Sequence, residues 1–422
     1  MTMGDTITAA AAPATGWFGS LTKKQKHTFW ASFGGFGIDA LDVQLYSFVM
    51  PTLISLWAMS RAEAGMIATV ALLVSAAGGW VGGILADRYG RVLTLQITIA
   101  WFTLFTCLSG FTNSSEQLMI VRALQGLGFG AEWAIGAALM SEIVPAKHRG
   151  KALGFVQSSW AVGWGAAALI FALTFYLLPE TIAWRVLFFV AIIPALFVFY
   201  IRKHVEEPEV FKKHVGAAER KASLLEIFSG RILYTTIFTA LLATGVQGGF
   251  YAIATWLPTY LKTVRGLSVL NTSGYLAVII VAAFFGYIVG AYLTDAIGRR
   301  LTFALFAIGA IITVVLYTFI PISDAWMLVL GFPIGFCYAG TFAGLGSYFA
   351  ELYPARVRGA GMGFSYNFGR AVGALFPALV GYLSQQIALE TAIGIFTTGS
   401  YALVLLAVMA LPETKGQELR VD

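Results

Sequence analysis

Five charged residues stand inside stretches that are otherwise mostly apolar, glycine or aromatic. Asp39 and Asp42 lie in "GIDALDVQLYSF", Arg122 and Glu132 in "RALQGLGFGAEWAIG", and Arg370 in "GFSYNFGRAVGALFPALVGYLS" (363–384). At the centre of a bilayer such a charge costs roughly 2.5 to 3.5 kcal/mol on insertion scales. Each therefore needs a partner, a change of protonation or a ligand. The planar, permanently charged fork of Arg370 matches a carboxylate bidentately; the competing reading is a structural tie to Asp39, Asp42 or Glu132. Asp39 and Asp42 are three apart and share one helix face. Two close, partly desolvated carboxylates disfavour double ionisation. With Glu132, which sits mid-span beside Trp133, they have the chemistry of proton carriers. Arg122, further out on the same span, either holds one of these acids ionised until a proton arrives or snorkels to the interface.

Polar and aromatic residues on other spans complete a candidate binding set. Gln157, Trp160 and Trp164 form one stripe at i, i+3, i+7 spacing. Gln247 and Tyr251 are one turn apart, and Tyr366 and Asn367 cluster with Arg370. Packing alone accounts for many such stripes, but together these residues suit a flat anionic ring compound stacked on tryptophan.

The elements that must position these groups are membrane helices. The chain has 422 residues, 58% hydrophobic and only 11% charged, with a mean hydropathy of +0.79. A soluble domain carries about 25% charged residues. Twelve apolar runs recur, at about 28–57, 64–86, 93–111, 118–141, 152–178, 185–201, 232–261, 272–294, 301–320, 326–349, 359–386 and 391–411, each able to cross roughly 30 Å of hydrocarbon. The net charge of +6 is a topology signal. Alternate connections carry Arg88 and Arg91, then Lys147, Arg149 and Lys151, then Arg299 and Arg300, then Arg356 and Arg358. Positive-inside bias puts these loops and both termini in the cytoplasm, and the N-terminus shows no cleaved signal peptide. Cys107 and Cys337 make no disulfide framework. His27, His148, His204 and His214 fall in loops or at helix ends, which argues against a buried metal or haem site and against an enzyme. Expected partners are the bilayer, protons and a small solute. Nucleic acid is not expected, nor is a cofactor other than the proton as coupling ion, and the chain reads as a monomer.

The chain is duplicated. "GGWVGGILADRYGR" (78–91) aligns with "GYIVGAYLTDAIGRR" (286–300) at an offset of 208, and "EIVPAKHRG" (142–150) with "ELYPARVRG" (351–359) at 209. Parallel repeats imply two six-helix halves about an axis along the membrane normal. The expected division is an N-terminal tail (1–27), a first bundle (28–201), a charged linker (202–229), a second bundle (230–411) and a C-terminal tail (412–422). In the linker, Ser223 and Glu226 fit a capping box.

G-x-x-x-D-R-x-G-R between the second and third spans, repeated in weaker form between the eighth and ninth, resembles the signature of the major facilitator superfamily. "RALQGLGFG" (122–130) and "PETKG" (412–416) are similar to further motifs of that superfamily. Val92, Ala291 and Ala296 depart from its pattern. The resemblance implies an all-α membrane protein with twelve transmembrane helices in two six-helix bundles related by a pseudo-two-fold axis. "GIDALDVQLYSF", "GFGAEWAIG" and "QSSWAVGWGAA" look like its metabolite:proton symporters, which take up small organic acids, the nicotinate (niacin) transporters being the nearest in appearance. In distantly similar animal organic-ion transporters, a basic residue in this region of the eleventh span goes with anionic substrates.

Duplication separates scaffold from substrate groups. Asp87, Arg91, Glu142 and Arg149 have counterparts Asp295, Arg299, Glu351 and Arg358, and with Arg88 they suit ion pairs of a cytoplasmic gate. Asp39, Asp42, Arg122, Glu132 and Arg370 face Gln247, Phe250, Gly331, Thr341 and Ala161, none charged, so all five belong to function. The expectation is proton-coupled uptake, across a cell (inner) membrane, of a small organic acid anion, an aromatic or heteroaromatic monocarboxylate such as nicotinate. Sialate or a short aliphatic acid is the alternative. A membrane sensor fits less well because the gate motifs are intact in both halves and the sequence carries no large soluble output domain, and a drug:proton exporter or a sugar porter because a buried arginine suits neither cations nor sugars.

Overall fold

The computed structural model describes residues 18–143, 146–206, 224–354 and 357–417, and all regular structure within them is helical. The first half comprises α1 (Lys23–Leu56), α2 (Arg61–Tyr89), α3 (Arg91–Ser109), α4 (Ser115–Ile143), α5 (Ala146–Leu177), α6 (Glu180–Val190) and α7 (Phe197–His204). The second comprises α8 (Gly230–Thr259), α9 (Val269–Ile297), α10 (Arg299–Thr318), α11 (Asp324–Ala343), α12 (Leu345–Leu352), α13 (Arg358–Gly373), α14 (Phe376–Leu383) and α15 (Leu389–Ala410). Because α6 with α7, α11 with α12 and α13 with α14 each make one crossing, twelve crossings result, six in each half. Among the described residues, eight helical stretches are long and apolar enough to cross a membrane by themselves. The other four crossings are those whose sequence is compromised. α1 and α4 carry the buried charges; a 3₁₀ turn at Ile193–Leu196 precedes α7, and Pro377 opens α14. Outward-facing residues such as Leu169 and Met409 leave 71% and 73% of their surfaces uncovered, as a lipid-facing belt requires. Of the expected capping box, Ser223 lies outside the described residues, and Leu224–Phe228 forms a 3₁₀ turn.

Glycines set how closely the central helices approach. A Cβ at Gly126 would lie 2.2 Å from the Ala71 carbonyl oxygen, and one at Gly130 only 1.6 Å from that of Ser75, so α4 packs backbone to backbone on α2. The second half repeats the device: a Cβ at Gly335 would lie 2.0 Å from the Ile279 carbonyl, and one at Gly286 lies 2.3 Å from that of Phe336, joining α11 to α9. The glycine spacing of "RALQGLGFG" is thus a packing stripe, as in other membrane helix pairs.

The repeated loop motifs share local geometry as well as sequence. Gly90 and Gly298 both take positive φ (105° and 99°), conformations that a side chain would strain. Immediately after each, the Arg91 and Arg299 Nη1 donate to the carbonyls of Ala86 (3.0 Å) and Thr294 (2.8 Å). The halves meet where α5 packs on α9 and where α2 packs on α13 and α14, leaving α1, α4, α8 and α11 around the centre.

Candidate functional site

All five lone charges converge between the halves and are at most 3% exposed. They form two groups along the axis. Nearer the end that carries the basic loops, Arg370 from α13 stands within electrostatic reach of Asp39 on α1, and the Asp39 and Glu132 carboxyls face each other. Glu132 reaches across from α4 because α1 has no side chain at Gly35, where a Cβ would lie 2.1 Å from Oε1. Neither carboxyl has a hydrogen-bond partner among the described residues. Such a pair cannot carry two negative charges at low cost, and one shared proton would bind it together.

The Arg370 guanidinium is held by aromatic faces: its carbon lies 5.2 Å from the ring centres of both Phe129 and Tyr366. Nη1 makes a long hydrogen bond of 3.4 Å to the Gly130 carbonyl, Nε has no partner among the described residues, and the Tyr251 and Tyr366 hydroxyls face it. These contacts leave Nε without such a partner beside a small cavity. Phe36, Phe129, Gln157, Trp160, Tyr287 and Tyr366 are among the residues that enclose it. The Trp160 Nε1–H also lacks a partner among the described residues, so the cavity offers a cation, a donor and aromatic faces together.

Toward the opposite end, Arg122 lies over the Tyr46 ring at 5.3 Å and within electrostatic reach of Asp42. Asp42 Oδ2 accepts from the Gln125 amide, while its Oδ1 has no hydrogen-bond partner among the described residues. Here a second small cavity is bounded by Gln44, Tyr46, Arg122, Gln125 and Thr255, among others. Phe129, Phe250 and Tyr251 border both cavities and stand between them.

Of the residues read from the sequence, Arg370, Tyr366, Tyr251, Gln157 and Trp160 line the inner cavity. Gln247 lies just behind it: its Nε2 donates to the Tyr366 carbonyl at 2.8 Å and its Oε1 accepts from Tyr251, so it positions both tyrosines. Trp164 is one layer back, edge-on to Phe250 at 6.1 Å. Asn367 is turned onto α2: its amide bonds the Gly363 carbonyl, and a Cβ at Gly79 would lie 2.8 Å from its Oδ1. Sequence reading passed over Gln44, Tyr46, Gln125 and Phe129. Gln125 and Phe129 follow Arg122 at i+3 and i+7, a spacing that puts them on its face. Phe250 is the half-symmetric counterpart of Asp42 and marks the same level.

The motif charges lie at the basic end. Arg299 makes a bidentate pair with Glu351 (3.0 and 2.7 Å) and a further contact of 3.2 Å with Asp295. This cluster ties α9, α10 and α12 within one half, and Glu413 of "PETKG" accepts from the backbone N–H groups of Arg299 and Arg300. Arg358 donates to the Tyr353 carbonyl, and exposed Arg88 lies over Tyr89. The side chains of Asp87, Glu142 and Arg149 lie outside the described residues. At the opposite end the halves are tied across their interface: Lys262 pairs with Glu180 at 2.8 Å, and Arg61 donates to the Ser384 carbonyl at 3.1 Å.

Residues 32–377 and 280–421 match the profile of the Major Facilitator Superfamily. The chain belongs to that superfamily. It is 44% identical, over 95% of its length and 93% of the relative's, to a probable 4-methylmuconolactone transporter of Cupriavidus pinatubonensis. It is 30% identical to the niacin transporter NiaP of Acinetobacter baylyi, covering 92% of this chain and 93% of that one. In structure it resembles the partially occluded inward-open xylose transporter XylE from E. coli, with a TM-score of 0.75, 18% identity and coverage of 94% of this chain and 100% of the other. Superfamily membership makes this membrane protein a transporter rather than an enzyme.

Proposed function

We propose that the protein carries a small organic acid anion into the cell together with protons, by alternating access of the inner cavity. What chiefly supports this is the Arg370 fork, buried and incompletely bonded, facing a cavity walled by Trp160, Tyr366 and Phe129. The acid's carboxylate binds Arg370 and its flat, conjugated body stacks on the aromatic walls. Niacin and 4-methylmuconolactone, the compounds in the relatives' names, are ring-bearing acids of this kind. An aromatic or heteroaromatic carboxylate such as nicotinate is therefore the ligand we assign to the inner cavity.

Moving one charge against 100 mV costs about 2.3 kcal/mol, so accumulation of an anion in a negatively charged cell needs accompanying protons. The Asp39–Glu132 pair and Asp42 are the carriers, and Arg122 holds Asp42 ionised until it is protonated. The protein acts as a monomer in the inner membrane, with its basic end and both termini in the cytoplasm. On that orientation the tie between Lys262 and Glu180 closes the outer side, and the charge cluster around Arg299, with Arg91, Arg149 and Arg358, steadies the cytoplasmic side.

Reconstituted vesicles test the proposal. An inwardly directed proton gradient should drive uptake of nicotinate or 4-methylmuconolactone above its equilibrium level, with internal acidification in step. Uptake that proceeds without moving protons, or that prefers amides to acids, would refute it.

A further inference from the structure

We infer that Phe250 sets the size limit of the cargo: its ring closes the inner cavity toward the outer one and holds the bound acid to a single ring. This rests on the reading of Arg370 as the acid-binding group and assigns the wall of its site that faces the outer cavity.

Phe129, Phe250 and Tyr251 border both cavities. Two of the three are tied to polar groups. The Phe129 ring lies 5.2 Å from the Arg370 guanidinium carbon, and the Tyr251 hydroxyl donates to Gln247 Oε1 at 3.3 Å. Phe250 is held by rings instead. It is 3% exposed, and its ring centre lies 5.1 Å from that of Tyr338, 5.7 Å from Phe342, 5.9 Å from Trp160 and 6.1 Å from Trp164. Aromatic pairs attract at these separations, and a ring packed among others does not swing aside without moving them.

The backbone behind Phe250 has no room to withdraw. A Cβ at Gly245 would lie 2.5 Å from the Ser400 carbonyl oxygen, and one at Gly249 would lie 2.9 Å from the Tyr401 ring, so that face of α8 is pressed against α15. A Cβ at Gly248 would lie 2.6 Å from the Phe376 ring of α14. Phe250 projects from the other side of α8. Its half-symmetric counterpart is Asp42, so at this level one half presents a carboxyl and the other an apolar ring. An acid held at Arg370 therefore meets Phe250 before it can reach Arg122 and Asp42, which are left to the proton. One flat ring can lie against this wall. A second ring on the same acid has to displace Phe250 and the rings around it, which is overpacking.

The test is equilibrium binding to the purified full-length protein, with benzoate and its meta- and para-phenyl derivatives as probes. Wild type should bind benzoate about 10- to 100-fold more tightly than either derivative. In Phe250→Ala at least one derivative should come within about threefold of benzoate. Phe250→Leu keeps the position filled and guards against misfolding of the first variant; it should narrow the gap by at least about threefold. Phe342→Ala alters a wall of the inner cavity alone and should leave the gap in place. A gap that persists in both Phe250 variants, that closes as far in Phe342→Ala, or that is already missing in wild type overturns the assignment. Benzoate binding that survives Arg370→Ala while the gap still follows Phe250 refutes the acid-binding reading and leaves the size limit standing. If benzoate does not bind wild type, both readings fall.

Discussion

Replacing Arg370 probes the centre of the proposed mechanism. Its guanidinium is 3% exposed, its one hydrogen bond to backbone spans 3.4 Å, and Nε has no partner among the described residues. A purely structural arginine at this depth would be saturated by short bonds to carboxylates; this one faces two aromatic rings and the Tyr251 and Tyr366 hydroxyls instead. A substrate carboxylate would supply the bond that Nε lacks and the charge partner that the tyrosines do not provide. Truncating one partner of a buried charge pair costs about 2 to 5 kcal/mol, or roughly 30-fold to several thousand-fold in affinity. Asp39, within reach of Arg370, partly compensates the charge before substrate arrives, which favours the lower part of that range. Arg370→Ala should therefore weaken nicotinate binding by about 30- to 100-fold. Arg370→Lys should lie between, since a lysine keeps the charge and loses the fork. Calorimetry with nicotinate and nicotinamide reads the effect as a ratio, which cancels general damage to the cavity. Wild type should discriminate strongly for the acid, and the alanine variant should not. An unchanged acid-to-amide ratio in a folded alanine variant would show that Arg370 is structural.

The proton path predicts a different phenotype. At least one of Asp39→Asn, Asp42→Asn and Glu132→Gln should abolish gradient-driven accumulation in vesicles while sparing substrate exchange; concentration of substrate by all three would place the carriers elsewhere. Gly35→Ala should produce the same uncoupling with little loss of thermal stability, because the new methyl group meets the movable end of Glu132 rather than backbone, and normal coupling in this variant would contradict the placement of that carboxyl. At the basic end, backbone N–H groups of Arg299, Arg300, Thr414 and Lys415 outweigh partial burial and hold the Glu413 carboxyl below the ordinary glutamate value. Because the folded pKa is the lower one, this stabilisation is present above about pH 4.3 and is lost as the pH falls through the depressed value. The melting temperature of wild type should exceed that of Glu413→Gln at neutral pH, and the gap should close toward pH 3. A constant gap would assign the effect to packing.

Much of the molecule was legible along the chain because a bilayer enforces simple rules. Apolar length dictated the spans, and the two offset motifs disclosed the duplication. Buried charges without a half-symmetric partner stood out because hydrocarbon tolerates so few. What the linear order could not carry was separation along and around the axis. Asp39 and Asp42 read as one carboxylate pair and do lie within electrostatic reach of each other, but one turn of α1 also brings them to different arginines, and Asp39 meets Glu132 across the space left by Gly35. Asn367 and Arg370 share a helix face by spacing, yet the close approach of α2 at Gly79 claims the asparagine for a helix contact. The division of the interior into two cavities arises from Phe129, Phe250 and Tyr251, contributed by helices far apart in sequence. Residue type and period decide which groups must be buried, whereas the approach of one helix to another decides which of them meet, and that distance is a property of packed glycines and rings that no single segment contains.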